Sequence, residues 1–296
     1  WQKNSSKNKN RSENSETKMS QNKVQISLEG HNRPISCIKF DDQNRLYTSS
    51  WDKTVKIWQP YSFKLLNTLT QPAPILSLTL IKSRYLIFGG HCGTLDIYDT
   101  RPTTSTNNNN DDDVDIRKLA SVTIGQTINE ISYCQASGAL AVAGWDVLTS
   151  VYVIGHDLVD TDTLKKLTDY KITCHGHTDA VHAVVWKTSD VIVTAGLDKK
   201  ILAFDIGSQN DNSKVRKAIK CVSVDQPVMA MRALRQHVFI VALEAAVQIW
   251  SFDTWTPVAT LSMVGRVEDL LVIGPGQFVV AFGERCGRVG YDDGGG

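Results

Sequence analysis

No stretch of the 296 residues reaches 18 consecutive apolar side chains, and no charged leader with an apolar core stands near the start. Neither a membrane-spanning helix nor a secretory signal is therefore expected. The six cysteines, at 37, 92, 134, 174, 221 and 286, include no two within three residues of each other. That spacing lacks the thiol pairs of zinc ribbons and redox motifs, and free thiols in a reducing compartment, cytoplasm or nucleus, are expected. Charge of one sign is also missing: 32 Lys and Arg against 31 Asp and Glu leave a net charge of +1. No global field recruits nucleic acid or an anionic membrane, so other proteins are the expected partners. Glycine-rich phosphate loops and the G-x-S-x-G nucleophile elbow are absent as well, and the reading is of a chain with no catalytic residues, no cofactor and no metal.

What the chain does contain is a repeated pattern of short alternating strands. Ser49-Ser50-Trp51-Asp52-Lys53-Thr54-Val55-Lys56-Ile57-Trp58 reads as the end of one strand, a tight turn and a second strand with Val55 and Ile57 on one face. Upstream lie Gly30-His31 and the alternating run Ile35 to Phe40. Similar units follow, closing on Tyr98, Tyr152, Phe204, Trp250 and Tyr291, at steps of 40, 54, 52, 46 and 41 residues. The two longest steps hold polar connections, the low-complexity Thr103 to Asp115 and the stretch Asp157 to Tyr170. A period near 40–45 with variable loops predicts four-stranded leaves that bury their faces by stacking on one another in a ring.

The expected organisation is a disordered tail over 1–22 and one all-β domain over 23–293, with a disordered loop at 103–115. Residues 1–18 are rich in Asn, Ser, Lys and Glu and cannot offset the entropy of ordering. The first methionine is Met19, so the chain is read as a fragment or as carrying residues ahead of its natural start. Val24, Ile26 and Leu28 form a lone strand placed to pair with the last leaf. Six units are visible, which leaves two readings open: six blades, or seven with the last missing.

On the Gly-His, Asp-turn and closing-Trp residues quoted above, the chain resembles the WD-repeat (WD40) superfamily of β-propellers, most specifically in its first unit and in the fourth, Gly176-His177 to Phe204. Ser49-Ser50-Trp51-Asp52, Val247-Gln248-Ile249-Trp250 and Gly287-Arg288-Val289 also resemble the spindle-checkpoint (Bub-type) and mRNA-export (Rae-type) WD-repeat group. That resemblance implies an adaptor whose top face binds a short segment carrying a glutamate pair, gripped partly by tryptophans placed as Trp51 and Trp145 are.

Read from the residues, Asp52, Asp146 and Asp198 are turn residues, paired with histidines such as His31 and His177. Repetition at the same place in each unit speaks against a single active site. Cys174-His175-Gly176-His177 has ligand-like residue types but no partner cluster. Trp51 and Trp145 precede the turn Asp, at a rim where no core receives an indole, and Trp is enriched in binding hot spots. Leu197 and Leu243 take that place in the fourth and fifth units, His91 in the second and Glu284 in the sixth. Arg33, Lys53, Lys199 and Arg101 are expected to pair with an acidic ligand. The function expected is a non-enzymatic scaffold, a monomeric propeller within a complex, binding a linear acidic segment on its top face. The alternatives are a ubiquitin-ligase substrate receptor or translation-factor subunit, and a hydrolase, which would need acidic and His side chains converging in the channel.

Overall fold

The computed structural model describes residues 30–59, 61–62, 64–101, 116–154, 171–207, 214–274, 276–282 and 285–290. The expected tail, the leading strand Val24–Leu28, the loop at 103–115, the connection 157–170, Glu284 and the closing Tyr291 lie outside these residues. The chain divides into two units, 1–30 and 31–296, and the described strands all belong to the second.

That second unit is a β-propeller without helices among its described residues. Blade 1 is β1 (Ile35–Phe40), β2 (Leu46–Ser50), β3 (Thr54–Trp58) and β4 (Leu65–Thr70). Blade 2 is β5 (Ile75–Ile81), β6 (Tyr85–Gly90), β7 (Thr94–Asp99) and β8 (Arg117–Thr123). Blade 3 has β9 (Ile128–Cys134), β10 (Ala139–Gly144), β11 (Thr149–Val153) and β12 (Lys171–His175). Blade 4 has β13 (Val181–Trp186), β14 (Val191–Gly196), β15 (Lys200–Asp205) and, after the short β16 (Val215–Lys217), β17 (Lys220–Ser223). Blade 5 runs through β18 (Val228–Arg235), β19 (Val238–Leu243), β20 (Ala246–Ser251) and β21 (Pro257–Ser262). Blade 6 holds β22 (Val267–Gly274), β23 (Gln277–Phe282) and β24 (Arg285–Gly290). Each sheet is an antiparallel meander, except that β16 leaves blade 4 to pair in parallel with β12 of blade 3.

The innermost strand of every blade is irregular at the same place. A register shift follows Ile35, Ile75, Ile128, Val181, Val228 and Val267. Such a bulge bends the strand and re-aims one side chain. The re-aimed residues, Ser36, Leu76, Asn129, His182, Met229 and Glu268, all line the central cavity. One repeated local feature thus sets what the channel displays.

Blades adhere through apolar faces. Five core clusters are present, one at each junction from blade 1–2 to blade 5–6. Between blades 3 and 4, for example, Ala139, Ala141 and Ala143 meet Val181, Val184 and Phe204. Small residues on one sheet let the next approach closely. Polar side chains near the axis fix the relative height of neighbouring blades. Ser36 donates to the Ile75 carbonyl at 2.6 Å, Ser77 accepts the Ile131 N–H at 3.0 Å, and Asn129 donates to the Val181 carbonyl at 2.9 Å.

The structure corrects the reading of the sixth unit: Val289, opposite Phe278, takes the place that Trp58 holds opposite Leu46 in blade 1.

Candidate functional site

The rim tryptophans are placed by a turn that recurs in four blades. In blade 1 the Lys53 N–H donates to the Ser50 carbonyl at 3.2 Å, and Lys53 has φ of +72°. Gly93, Val147 and Lys199 hold the same left-handed conformation in blades 2, 3 and 4, with φ of +67°, +60° and +60°. The first residue of each turn points out of the sheet end. Its own N–H anchors it to the residue ahead of the inner strand: Trp51 to Pro34, His91 to Pro74, Trp145 to Thr127 and Leu197 to Ala180, at 3.0 to 3.2 Å.

This geometry assembles an aromatic ladder across three blades. The Trp51 and His91 rings lie edge-to-face, 5.5 Å between centroids, and His91 stands 6.4 Å from Trp145 in the same manner. Trp51 is 44% and Trp145 59% exposed, so neither indole is held in the core. The ladder forms the lip of a cavity of about 890 Å³ that continues down the channel.

Deeper in the channel the chemistry is ionic. The Arg232 guanidinium donates to Glu130 through Nη1 and to Asp269 through Nη2, the latter at 3.0 Å. The second Glu130 oxygen accepts the Val184 N–H at 3.0 Å. Three residues therefore tie blades 3, 4, 5 and 6 across the axis. Burial raises the Glu130 carboxyl against the pull of Arg232. Several titratable groups line the cavity, namely Glu130, Glu268, Asp269, His91 and His182. They do not form an acid–base dyad: Glu130 and Asp269 are bonded to Arg232, and Glu268 lies 3.8 Å from Arg266. No group of three potential metal ligands occurs among the described residues.

The turn aspartates divide into two kinds. Asp52 accepts from His31 Nδ1 at 2.8 Å, His31 Nε2 meets Thr48 Oγ1 at 2.8 Å, and Trp58 Nε1 donates to the same oxygen at 2.9 Å. Burial opposes ionisation of Asp52, but bonds from Thr54 and His31 outweigh it and bring the carboxyl down to about 2. In blade 4 His177 bridges Asp198 at 3.0 Å and Thr194 at 2.7 Å, and the relay stops there because the Phe204 side chain carries no donor. Burial lowers the pKa of His177 despite Asp198. Asp146 differs: it accepts the Leu148 N–H at 3.2 Å, and no histidine bonds to it among the described residues.

Other expected contacts fall elsewhere. Leu243 is buried in the place of Ser50 and Gly90, opposite the first inner-strand residue, so Glu244 takes the rim place instead. The one-residue shift follows from the apolar run Val238–Leu243, which fills the strand to its end. Arg101 pairs with Asp99 at the far end of β7, away from the rim. Arg33 and Lys53 are exposed beside the ladder but do not line the cavity, and neither does the half-buried Leu197. The Arg232–Glu130–Asp269 group was not singled out from the sequence. Its members lie up to 139 residues apart, and only the bulged inner strands bring them together.

The six blades and their bulged inner strands define the fold as a β-propeller. The sequence model of the WD domain, G-beta repeat family matches residues 22–59. Among curated proteins, the chain is similar to the ribosome biogenesis protein YTM1 of Kluyveromyces lactis, 29% identical over 179 residues, which is 59% of this chain and 38% of that one. It is also similar to the ribosome biogenesis protein WDR12 homolog of Aedes aegypti, 26% identical over 60% of this chain and 38% of the relative. The chain thus spans less than two-fifths of the relatives it matches. Among solved structures, the WD40 propeller domain of Doa1 superposes with a TM-score of 0.63 at 17% identity, covering 86% of this chain and 77% of that one. The RRP9 WD40 repeats give 0.66 at 12%, covering 86% and 75%. These two likenesses concern the fold alone.

Proposed function

We propose that this chain is a non-enzymatic interaction scaffold that binds a linear segment of a partner protein on the rim carrying Trp51, His91 and Trp145. The observation that carries this reading is the ladder itself. Three rings from three blades stand edge-to-face at the mouth of a cavity, with both indoles about half exposed. Desolvating such rings against a partner is favourable, whereas leaving them exposed gives nothing to the fold. The channel carboxylates Glu130, Asp269 and Glu268 each face an arginine, which disfavours a hydrolase. Arg33 and Lys53 flank the ladder and favour acidic side chains in the segment.

The relatives' names point to an assembly concerned with ribosome biogenesis, and a nuclear location follows from that reading. The resemblance to checkpoint and export adaptors rests on the short runs at Ser49–Asp52, Val247–Trp250 and Gly287–Val289, and the curated relatives do not add to it. The test is affinity purification of the tagged chain from its own cells, comparing wild type with the Trp51→Ala, Trp145→Ala double variant. Loss of the co-purifying protein with an unchanged melting temperature is the expected result. Retention of the same partners at the same yield would end the rim assignment.

A further inference from the structure

The chain that links blade 2 to blade 3 is fastened to both turns of the outer half of the ladder. Ile124 and Gly125 donate their N–H groups to the Gly93 carbonyl, at 2.8 and 3.2 Å, and the Thr127 carbonyl accepts the Trp145 N–H at 3.2 Å. One end of the link thus holds the turn that presents His91, and the other holds Trp145 itself. Gln126 stands between these two fastenings. Its backbone lies so close to Gly93 that a Cβ there would stand 2.8 Å from the Gln126 carbonyl oxygen. Its side-chain amide lies against Gly144, where a Cβ would stand 2.6 Å from Oε1 and 2.9 Å from Cδ. Both Oε1 and Nε2 are buried, and neither has a hydrogen-bond partner among the described residues. Burying an amide in this way works against the fold, so bonds to the protein do not explain why the side chain sits there.

The counterparts of Gln126 in other blades show what does. Gln226 holds the same place ahead of blade 5, two residues before the first inner-strand residue, and its Oε1 accepts the Ala245 N–H at 2.9 Å. The residue at the end of the second strand decides between the two arrangements. In blade 5 that residue is the buried Leu243, opposite Val228, and it fills its own space. In blade 3 it is Gly144, opposite Ile128, and the Gln126 amide takes the room that a side chain would have used. Ahead of blade 2 the place belongs to Ala73, and the atoms nearest to Gly90 are backbone atoms of Pro74, Ile75 and Leu76. The ladder follows the same order. Trp51 and His91 are 5.5 Å apart across the alanine, and His91 and Trp145 are 6.4 Å apart across the glutamine.

We infer that Gln126 is the positioning residue of the ladder: its side chain is a spacer between the blade 2 and blade 3 turns and sets how far Trp145 stands from His91. The inference rests on the rim being the binding surface, and it names the residue outside the ladder that fixes the ladder's width. A spacer acts through its volume, because close-packed neighbours pass a displacement directly to one another. Methionine matches glutamine in length and is unbranched, without the polar amide. Volume and polarity are therefore separable at this position.

The test uses the full chain with its histidine rings isotope-labelled, the His91 signals being assigned by their loss in His91→Asn. A neighbouring indole shifts imidazole protons through its ring current, so these signals report the His91–Trp145 geometry with no partner present. Gln126→Ala should move them, whereas Gln126→Met should leave them where they are in the wild type. The melting temperature of Gln126→Met should equal or exceed that of the wild type, since no amide is then buried. In affinity purification, Gln126→Ala should recover about tenfold less of the co-purifying protein, and Gln126→Met should restore it. Two outcomes overturn the inference: His91 signals unmoved by Gln126→Ala, or moved as far by Gln126→Met as by Gln126→Ala. The rim assignment is judged separately, by whether the Trp51→Ala, Trp145→Ala variant keeps its partners, whatever the ring signals show.

Discussion

At the residue scale, the relay through Trp58, Thr48, His31 and Asp52 shows how buried polar groups are satisfied in series. Its ends are fixed in direction: Trp58 can only donate and an ionised Asp52 can only accept, so Trp58 Nε1–H gives to Thr48 and His31 Nδ1–H gives to Asp52. Thr48→Val removes the central hydroxyl and leaves an N–H and an imidazole nitrogen unpaired. A loss of about 1–3 kcal/mol in urea unfolding is expected. Acid should weaken the fold in two stages. His177 and His182 both have pKa values lowered by burial from 6.5, so the unfolded chain takes up their protons first, and stability falls as pH drops below that value. Asp52, depressed from 3.8 to about 2, stabilises the fold above its unfolded pKa, and that contribution is lost between those values. Urea midpoints measured from pH 7 to pH 2 should show both stages, and Asp52→Asn should flatten the second. Val147 is a β-branched residue with φ of +60°, a conformation that crowds Cβ against the carbonyl. Val147→Gly should therefore stabilise blade 3 by about 1 kcal/mol.

At the scale of the strand and the turn, the bulged inner strand is the element on which both the channel and the rim depend. It holds Arg232 between Glu130 and Asp269, where removal of the cation leaves a buried carboxylate uncompensated. Arg232→Met should cost about 3–5 kcal/mol. Adding Glu130→Gln should recover part of the loss, since an amide oxygen still accepts the Val184 N–H without carrying charge. Thermal melts of the single and double variants decide it, and equal melting temperatures would mean that the ion pair contributes nothing. Turns were easier to read from sequence than channels. Asp52 with Lys53, and Asp198 with Lys199, announce a tight turn whose first residue must point outward, so Trp51 and Trp145 were legible as rim residues. The Leu243 position was misread because nothing in Ala242-Leu243-Glu244 marks which residue ends the strand.

At the scale of the 31–296 unit, stability is distributed over the five blade-to-blade interfaces of the described residues. Blade-to-blade cores make each sheet depend on its neighbours, so a lesion at one junction should be felt mainly by the two blades it joins. Hydrogen exchange on Ala141→Asp is expected to show lost protection in blades 3 and 4 first, with blades 1 and 6 retaining theirs at short times. Uniform loss across all six would indicate a single cooperative unit. The indoles at the rim and the apolar side chains Ile35 and Ile38 of β1 obey the same physics. Each is surface that the described blades leave in water.

Period-two alternation in each short run, the Asp-containing turns and the spacing near 40–45 residues were enough to determine the blades, their order and the outward direction of Trp51 and Trp145. Those properties follow from local sterics and from the two-residue repeat of a strand, which act within a few residues. The edge-to-face contact of Trp51, His91 and Trp145 and the charge group at Glu130, Arg232 and Asp269 were decided only in three dimensions. They depend on the distance between blades, and that distance is set by how side chains from two sheets interlock.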